Sequence, residues 1–259
     1  MRGAVDPGAH LIKPEAVHIA RRSRVMAGAV LNAEGGPVVL REGATVEPLA
    51  YVEGPAAIGE DSIVRAGARI RAGTSIGPVC RVGGEVAETV FQGYANKQHD
   101  GFLGHSFVGE WVNLGANTNN SDLKNTYTPV RTYASARDFL EKKGRDSGQL
   151  LLGLELGDFT KTGISASFTT GARVGIGCNL YGTELQPAYV PSFVWGQSGA
   201  FEEHRIDPMV ATAERAMERR KVALTTELDA LLRRAHEETQ SDRDSYLATM
   251  AFRDRKSVV

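Results

Sequence analysis

The sequence predicts a mainly β fold, a parallel β-helix built from hexapeptide repeats, and three observations predict it. Aliphatic residues recur every six positions: Leu40, Val46, Val52, Ile58, Val64, Ile70, Ile76 and Val82. Four positions after each of the first seven stands a small residue: Ala44, Ala50, Ala56, Ser62, Ala68, Thr74 and Cys80. The chain carries 29 glycines, as many tight turns require. A helix would repeat apolar residues every three to four positions and an ordinary strand every two. A strict period of six fits neither and marks a solenoid. Each hexapeptide supplies one short strand and one turn. Three close a triangular coil of about 18 residues, and coils stack about 4.8 Å apart, like neighbouring strands of a sheet. The aliphatic residue points into the core, and the small one fits beside a corner.

Taken in order, the elements follow this ladder and its breaks. Ile19, Val25 and Leu31 keep the spacing of six, and Glu34-Gly35-Gly36-Pro37 then breaks the phase in a loop or enlarged corner. After Val82 the phase shifts through Gly83-Gly84 and resumes at Phe102, Val108 and Leu114. An insertion follows, about 117–150. It begins with a polar, Asn-rich stretch and holds a short helix within 134–143, capped by Ser135 with Asp138 three residues later. Hexads return at Leu156, Thr162, Phe168, Val174 and Leu180. Residues 186–199 read as an ordered irregular segment covering the last open coil, whose edge would otherwise pair with another chain. The division is a β-helix over 1–200 and a helical tail over 201–259. In the tail, Met209, Ala213, Ala216 and Met217 share one face, and Thr226 caps a second helix carrying Leu228, Leu231 and Leu232. Residues beyond Ser241 are expected to fray.

Composition bounds the function. A net charge of -1 argues against nucleic acid as a partner. No apolar run is long enough for a membrane span. The start, Met1-Arg2-Gly3-Ala4, lacks an apolar signal core, so a cytoplasmic location is expected. Cys80 and Cys178 both occupy small-residue slots and read as buried thiols in a reducing compartment. No metal site is expected.

Chemistry concentrates where the ladder breaks. Between Gly93 and Asn125 stand His99, Asp100, His105, Asn113, Asn119, Asn120 and Lys124, too polar a set to be only core. His105 lies on a face adjacent to that of His99, so a metal pair within one chain is disfavoured and a structural role fits it better. Asn117, Asn119 and Asn120 serve either as turn residues or as substrate contacts. Arg81 and the basic residues of the tail read as solvated charges.

His99-Asp100-Gly101-Phe102-Leu103-Gly104 and, further on, Asn113-Leu114-Gly115-Ala116 resemble, at matching separation, the acyltransferase half of the bifunctional N-acetylglucosamine-1-phosphate uridyltransferase family. Gly77 to Glu85, Gly104 to Asn125 and Val190 to Gly196 are more similar still to a subfamily described as sugar nucleotidyltransferases, and the resemblance spans roughly residues 10–220. It implies a left-handed parallel β-helix and an acyl-CoA-dependent transfer, acetyl-CoA being the usual donor, to an amino sugar or sugar phosphate. It implies a homotrimer with sites between subunits. His99 would be the general base, since imidazole titrates near working pH. Asn96, Lys97, Asp100, Asn113, Asn120 and Arg71 would hold the sugar substrate, and Ala116, Lys161 and Thr162 the acyl-CoA. The sequence departs from the family in three places. Phe102 replaces the usual Tyr, Ala87 stands near the place of a phosphate-binding lysine, and the spacing from Arg71 differs by two residues. The Gly-rich phosphate loop of a nucleotidyltransferase half is missing, since Gly175-Ile176-Gly177 falls inside hexads. The competing readings are a non-catalytic trimerising or sugar-nucleotide-binding module, and the C-terminal part of a nucleotidyltransferase whose other domain lies elsewhere.

Overall fold

In a computed structural model of the chain, residues 3–256 are described, with side chains as far as 250. Met1, Arg2 and residues 257–259 of the tail lie outside the described residues. The chain winds into a prism with three parallel faces. Face I stacks Arg24–Val25, Thr45–Val46, Ile63–Val64, Arg81–Val82 and Asn96–Lys97. Through single bridges at Asn113 it continues to Lys161–Thr162 and Asn179–Leu180. Face II stacks Tyr51–Glu53, Arg69–Ile70, Glu85–Ala87 and Phe102–Gly104. Face III is a nine-stranded sheet from Val17–Ile19 to Tyr189–Val190.

The register matches the coil length expected from the repeat. Val46 pairs with Val64 and Val64 with Val82, each eighteen residues on, as do Leu40, Ile58 and Ile76 on face III. All eight aliphatic residues of the strict run are at most 2% exposed, and the seven small residues are buried beside them. The two tracks therefore form one continuous core. Burying eight such side chains at about 1.5–3 kcal/mol each is the main stabilising term of this segment. Of the two hydroxyl residues in the small-residue track, Ser62 is satisfied by its neighbours, whereas the buried Thr74 hydroxyl has no hydrogen-bond partner among the described residues. The Ser62 hydroxyl donates to the Gly77 carbonyl and accepts from the Cys80 amide. Both cysteines are buried and unpaired, and burial pushes the Cys80 thiol up to about 11.

Four expectations are corrected. The ladder does not lapse between Gly83 and Phe102. It tightens, with Val82 pairing to Lys97 and Ile76 to Phe91, only fifteen residues on. Val86, Phe91, Lys97 and Leu103 fill the inward slots, and Phe102 is half-buried beside Leu103. Second, Asn119–Asn120 is still coil, pairing with Ser167–Phe168, so the insertion leaves only after it. The insertion carries a small antiparallel pair, Arg131–Thr132 with Arg145–Asp146, and helix α1 (Ala136–Leu140). The Ser135 hydroxyl caps α1 by accepting from the Asp138 amide at 3.1 Å. Third, residues 186–199 are more regular than expected. Val194–Gln197 extends face I and pairs antiparallel with Ala200–Glu203, which covers its edge.

Fourth, the tail does not fray after Ser241. Helix α2 (Ile206–Glu218) and helix α3 (Thr226–Glu238) form as the periodicity requires, though the α3 cap is Thr225 rather than Thr226. Leu231 faces solvent. Helix α4 (Gln240–Lys256) continues through the expected frayed region, with Arg243 and Tyr246 fully buried. The Asp242 carboxylate fastens it, accepting from the Ala136 amide at the start of α1 and from the Tyr189 hydroxyl, both at 2.7 Å. No helix among the described residues is long and apolar enough to cross a membrane.

Candidate functional site

The corner between faces I and II collects half of the candidate residues. Strand Asn96–Lys97 ends face I, the chain turns through Gln98, His99 and Asp100, and face II resumes at Phe102. His99 and Asp100 are exposed there. The His99 ring has no hydrogen-bond partner among the described residues, so it is free to meet a ligand. One coil further on, Asn113 is bridged to Asn96 in parallel register, which puts both amides on the outer surface of face I. Leu114-Gly115-Ala116 turns the same corner, and the Ala116 carbonyl is held by the Ser165 amide at 2.8 Å. A cavity of about 200 Å³ lies between Asn96, Gln98, His99, Asn113, Ala116 and Ile164. An imidazole, three amides and a turn of main chain thus line one small groove. Such a set can take a proton, orient an acceptor and approach a carbonyl oxygen.

Lys97 is turned the other way. Register places it beneath Val82, so its side chain enters the prism, 2% exposed. Its ammonium donates to the carbonyls of Gly83 and His99, both at 3.0 Å. Burial pushes its pKa down to about 8, against the pull of the Asp100 carboxylate. It cannot hold a substrate on the surface, and it instead ties down the main chain that carries His99. Gly84 makes room for it: φ is +69° there, and a Cβ would sit 2.7 Å from the Lys97 Nζ.

Asn120, Thr162 and Arg71 are also corrected. The buried Asn120 side chain accepts from the Gly104 amide and donates to its carbonyl, while Asn119 accepts from the Phe102 amide. These asparagines stand in for main-chain ladder bonds between successive coils, so their amides are already occupied. The Thr162 hydroxyl is inside, accepting from the Gly115 amide and sharing a bond with the Thr118 hydroxyl. Arg71 lies toward the other corner of face II, beside Ala87, and its guanidinium is engaged by the Glu53 carboxylate at 2.8 Å. That carboxylate holds the guanidinium pKa above its usual range. Lys161 keeps its place on the surface of face I, following Asn96 and Asn113 in register. Its Nζ donates to the Phe159 carbonyl, and burial lowers its pKa.

Two features were not legible in the sequence. At the corner between faces II and III, His105 Nδ1 lies 2.8 Å from the Asp122 carboxylate. The pair opens onto a cleft of about 660 Å³ between Val90 and Phe107 of face III and Leu151 of the insertion. His105 and Asp122 are seventeen residues apart, one tightened coil, a spacing that no hexad count announces. The second feature is a cleft of about 530 Å³ between face I and α2. It joins the His99 groove, since both are bordered by Asn96, Gln98 and Asn113.

No protein-family model matches the chain. It is 34% identical over 169 residues to the bifunctional protein GlmU of Acidithiobacillus ferrooxidans, covering 64% of this chain and 34% of that protein. It is 32% identical over 94 residues to the bifunctional protein GlmU of Methanocaldococcus jannaschii, covering 36% and 21% respectively. The chain therefore spans about a third or less of the length of these curated relatives. Among solved structures, a UDP-N-acetylglucosamine acyltransferase from Campylobacter jejuni aligns over 88% of this chain and 82% of its own, with a TM-score of 0.46 and 16% identity.

Proposed function

We propose that this chain is an acyl-CoA-dependent acyltransferase acting on an amino sugar or sugar phosphate, with acetyl-CoA as donor and His99 as general base. The observation that carries the reading is the groove in which His99, Asn96, Asn113 and Ala116 converge on one corner of the prism. The sequence similarity to GlmU proteins supports it.

In this mechanism the His99 imidazole takes a proton from the acceptor amine as its nitrogen attacks the thioester carbonyl. Asp100, Asn96 and Asn113 orient the sugar, and a main-chain N–H near Ala116 stabilises the developing oxyanion. The C–N bond forms and the C–S bond breaks. The sulfur leaves as thiolate, takes up a proton and departs as free CoA. Lys161 approaches the acyl-CoA along face I. The functional unit is a homotrimer, with the prism of residues 1–200 as scaffold and the tail of 201–259 completing the groove. The two free, buried cysteines support a reducing, cytoplasmic setting.

A second reading has one observation in its favour: of the two corner histidines, His105 rather than His99 has an orienting carboxylate, that of Asp122. A carboxylate fixes the tautomer and the orientation of an imidazole. One assay separates the two. Purified protein given acetyl-CoA and glucosamine 1-phosphate releases free CoA, and the rate is compared in His99→Ala and His105→Ala. Removal of a general base costs typically 10²–10⁴-fold in rate. A loss of that size in His99→Ala, with His105→Ala near wild type, upholds the reading, and the reverse pattern moves the base to the His105–Asp122 pair. Absence of CoA release from the wild-type protein with amino-sugar acceptors counts against acyl transfer itself.

A further inference from the structure

Arginines on the coils of this protein normally meet a carboxylate one coil away. Arg24 pairs with Asp6, Arg65 with Glu47, Arg69 with Glu85, Arg71 with Glu53 and Arg173 with Glu155, at 2.7–3.0 Å. The cleft between face I and α2 breaks that pattern. Arg81 and Lys161 enter it from the prism, and Arg215, Arg219 and Arg220 from the end of α2 and the turn beyond. No Asp or Glu side chain lines the cleft. Among the described residues none of the five cations is ion-paired, and their partners are neutral. Arg220 donates to the Asn96 amide oxygen at 2.7 Å, Arg81 to the carbonyls of Asp61 and Cys80, and Arg215 to the Thr212 hydroxyl. Burial, and after it the charge of Arg220, lowers the Arg81 pKa, with the Asp61 carboxylate opposing only weakly.

The end of a helix carries about half a negative charge, which accounts for a cation or two from α2. It does not account for Arg81 and Lys161, which belong to the coils and converge on the same space. Tyr94 and Trp111 add an aromatic wall, their rings stacked 4.2 Å apart at successive turns of one corner. The cleft, about 530 Å³, is within the range of small-molecule sites.

We infer that the cleft between face I and α2 binds the diphosphate of a nucleotide, with the five cations on the phosphates and the nucleotide's far end leading along Asn96 and Asn113 into the His99 groove. Guanidinium forks suit phosphate oxygens because they donate two parallel hydrogen bonds. A nucleotide-linked sugar and coenzyme A both carry such a diphosphate, and either would deliver its reactive end toward His99. The cleft's charge is independent of the reaction, so the inference stands or falls separately from acyl transfer.

Calorimetric titration of the full chain with UDP, with coenzyme A and with inorganic pyrophosphate tests it, using wild type and an Arg215→Gln/Arg219→Gln variant. Both arginines are exposed, and a thermal melt of the variant confirms folding. Losing charge-assisted bonds to phosphate is expected to weaken binding by about tenfold to a hundredfold. That loss for UDP identifies a nucleotide-linked acceptor, and that loss for coenzyme A identifies the donor. No binding by any of the three at millimolar concentration, or equal affinities in wild type and variant, overturns the inference. The titration reads binding and the CoA-release assay reads transfer, which keeps the two questions apart.

Discussion

At the residue scale, single side chains carry meanings that their letters alone do not. Asn-Lys-Gln-His-Asp reads as a polar surface cluster, yet Lys97 is a core residue. Its inward slot depends on a coil of fifteen residues rather than eighteen, and nothing local in the sequence marks the missing three. The strict run needed no such knowledge, because every member from Leu40 to Val82 stands in an unbroken count of six. His99 is singled out in the sequence by its motif, and the structure places it exposed at a corner. The buried ammonium has a measurable consequence. The Lys97 pKa in the fold, about 8, lies below its ordinary 10.5, so over that window the unfolded chain binds more protons. Stability contributed by this group therefore rises with pH between those values, with a slope of up to about 1.4 kcal/mol per pH unit. The raised Cys80 thiol works in the opposite sense, so the difference between wild type and Lys97→Met is the quantity to follow. Urea denaturation at several pH values is expected to show that difference moving in favour of wild type as pH climbs from about 8 to 10.5. A constant difference would mean that Lys97 is not buried as a charge.

At the element scale, the coils were legible and their attachments were not. Helices α2 and α3 announce themselves by apolar spacing, whereas α4 has a weakly amphipathic sequence and combines polar fastenings with an apolar cluster around Tyr246. Asp242 provides the clearest one, joining α4 to both the insertion and the last coil through Ala136 and Tyr189. The partners stand 106 and 53 residues away, distances at which sequence pattern carries no signal. Asp242→Ala leaves an amide and a phenol without their acceptor and is expected to destabilise the protein by about 1.5–3 kcal/mol. The measurement is the denaturation midpoint, and a shift equivalent to under about 0.5 kcal/mol, the size expected of an unremarkable surface change, would show that α4 is fastened by other contacts. The same economy explains the asparagines at 119 and 120. They carry the ladder from one coil to the next with side-chain amides, which residue type alone does not distinguish from a binding role.

At the scale of the whole molecule, the prism is scaffold, and the candidate chemistry lies where something interrupts or covers it. The insertion makes a cleft with face III, α2 makes a basic cleft with face I, and the turn at His99 opens between faces I and II. Of the ten candidate residues, those on the outer surface of face I and its corner gather in or beside one continuous groove, while Lys97, Asn120 and Thr162 turned inward and Arg71 lies apart. The groove therefore became more specific than the motif that pointed to it, and it gained basic residues from a tail that reads as a solvated helix. The most direct test of the account is a crystal structure of the protein soaked with coenzyme A and glucosamine 1-phosphate. The account predicts three chains around a threefold axis, with the acceptor amine within about 2.6–3.2 Å of a His99 ring nitrogen. An acceptor seated against the His105–Asp122 pair, or a lone chain with an empty His99 groove, would contradict it.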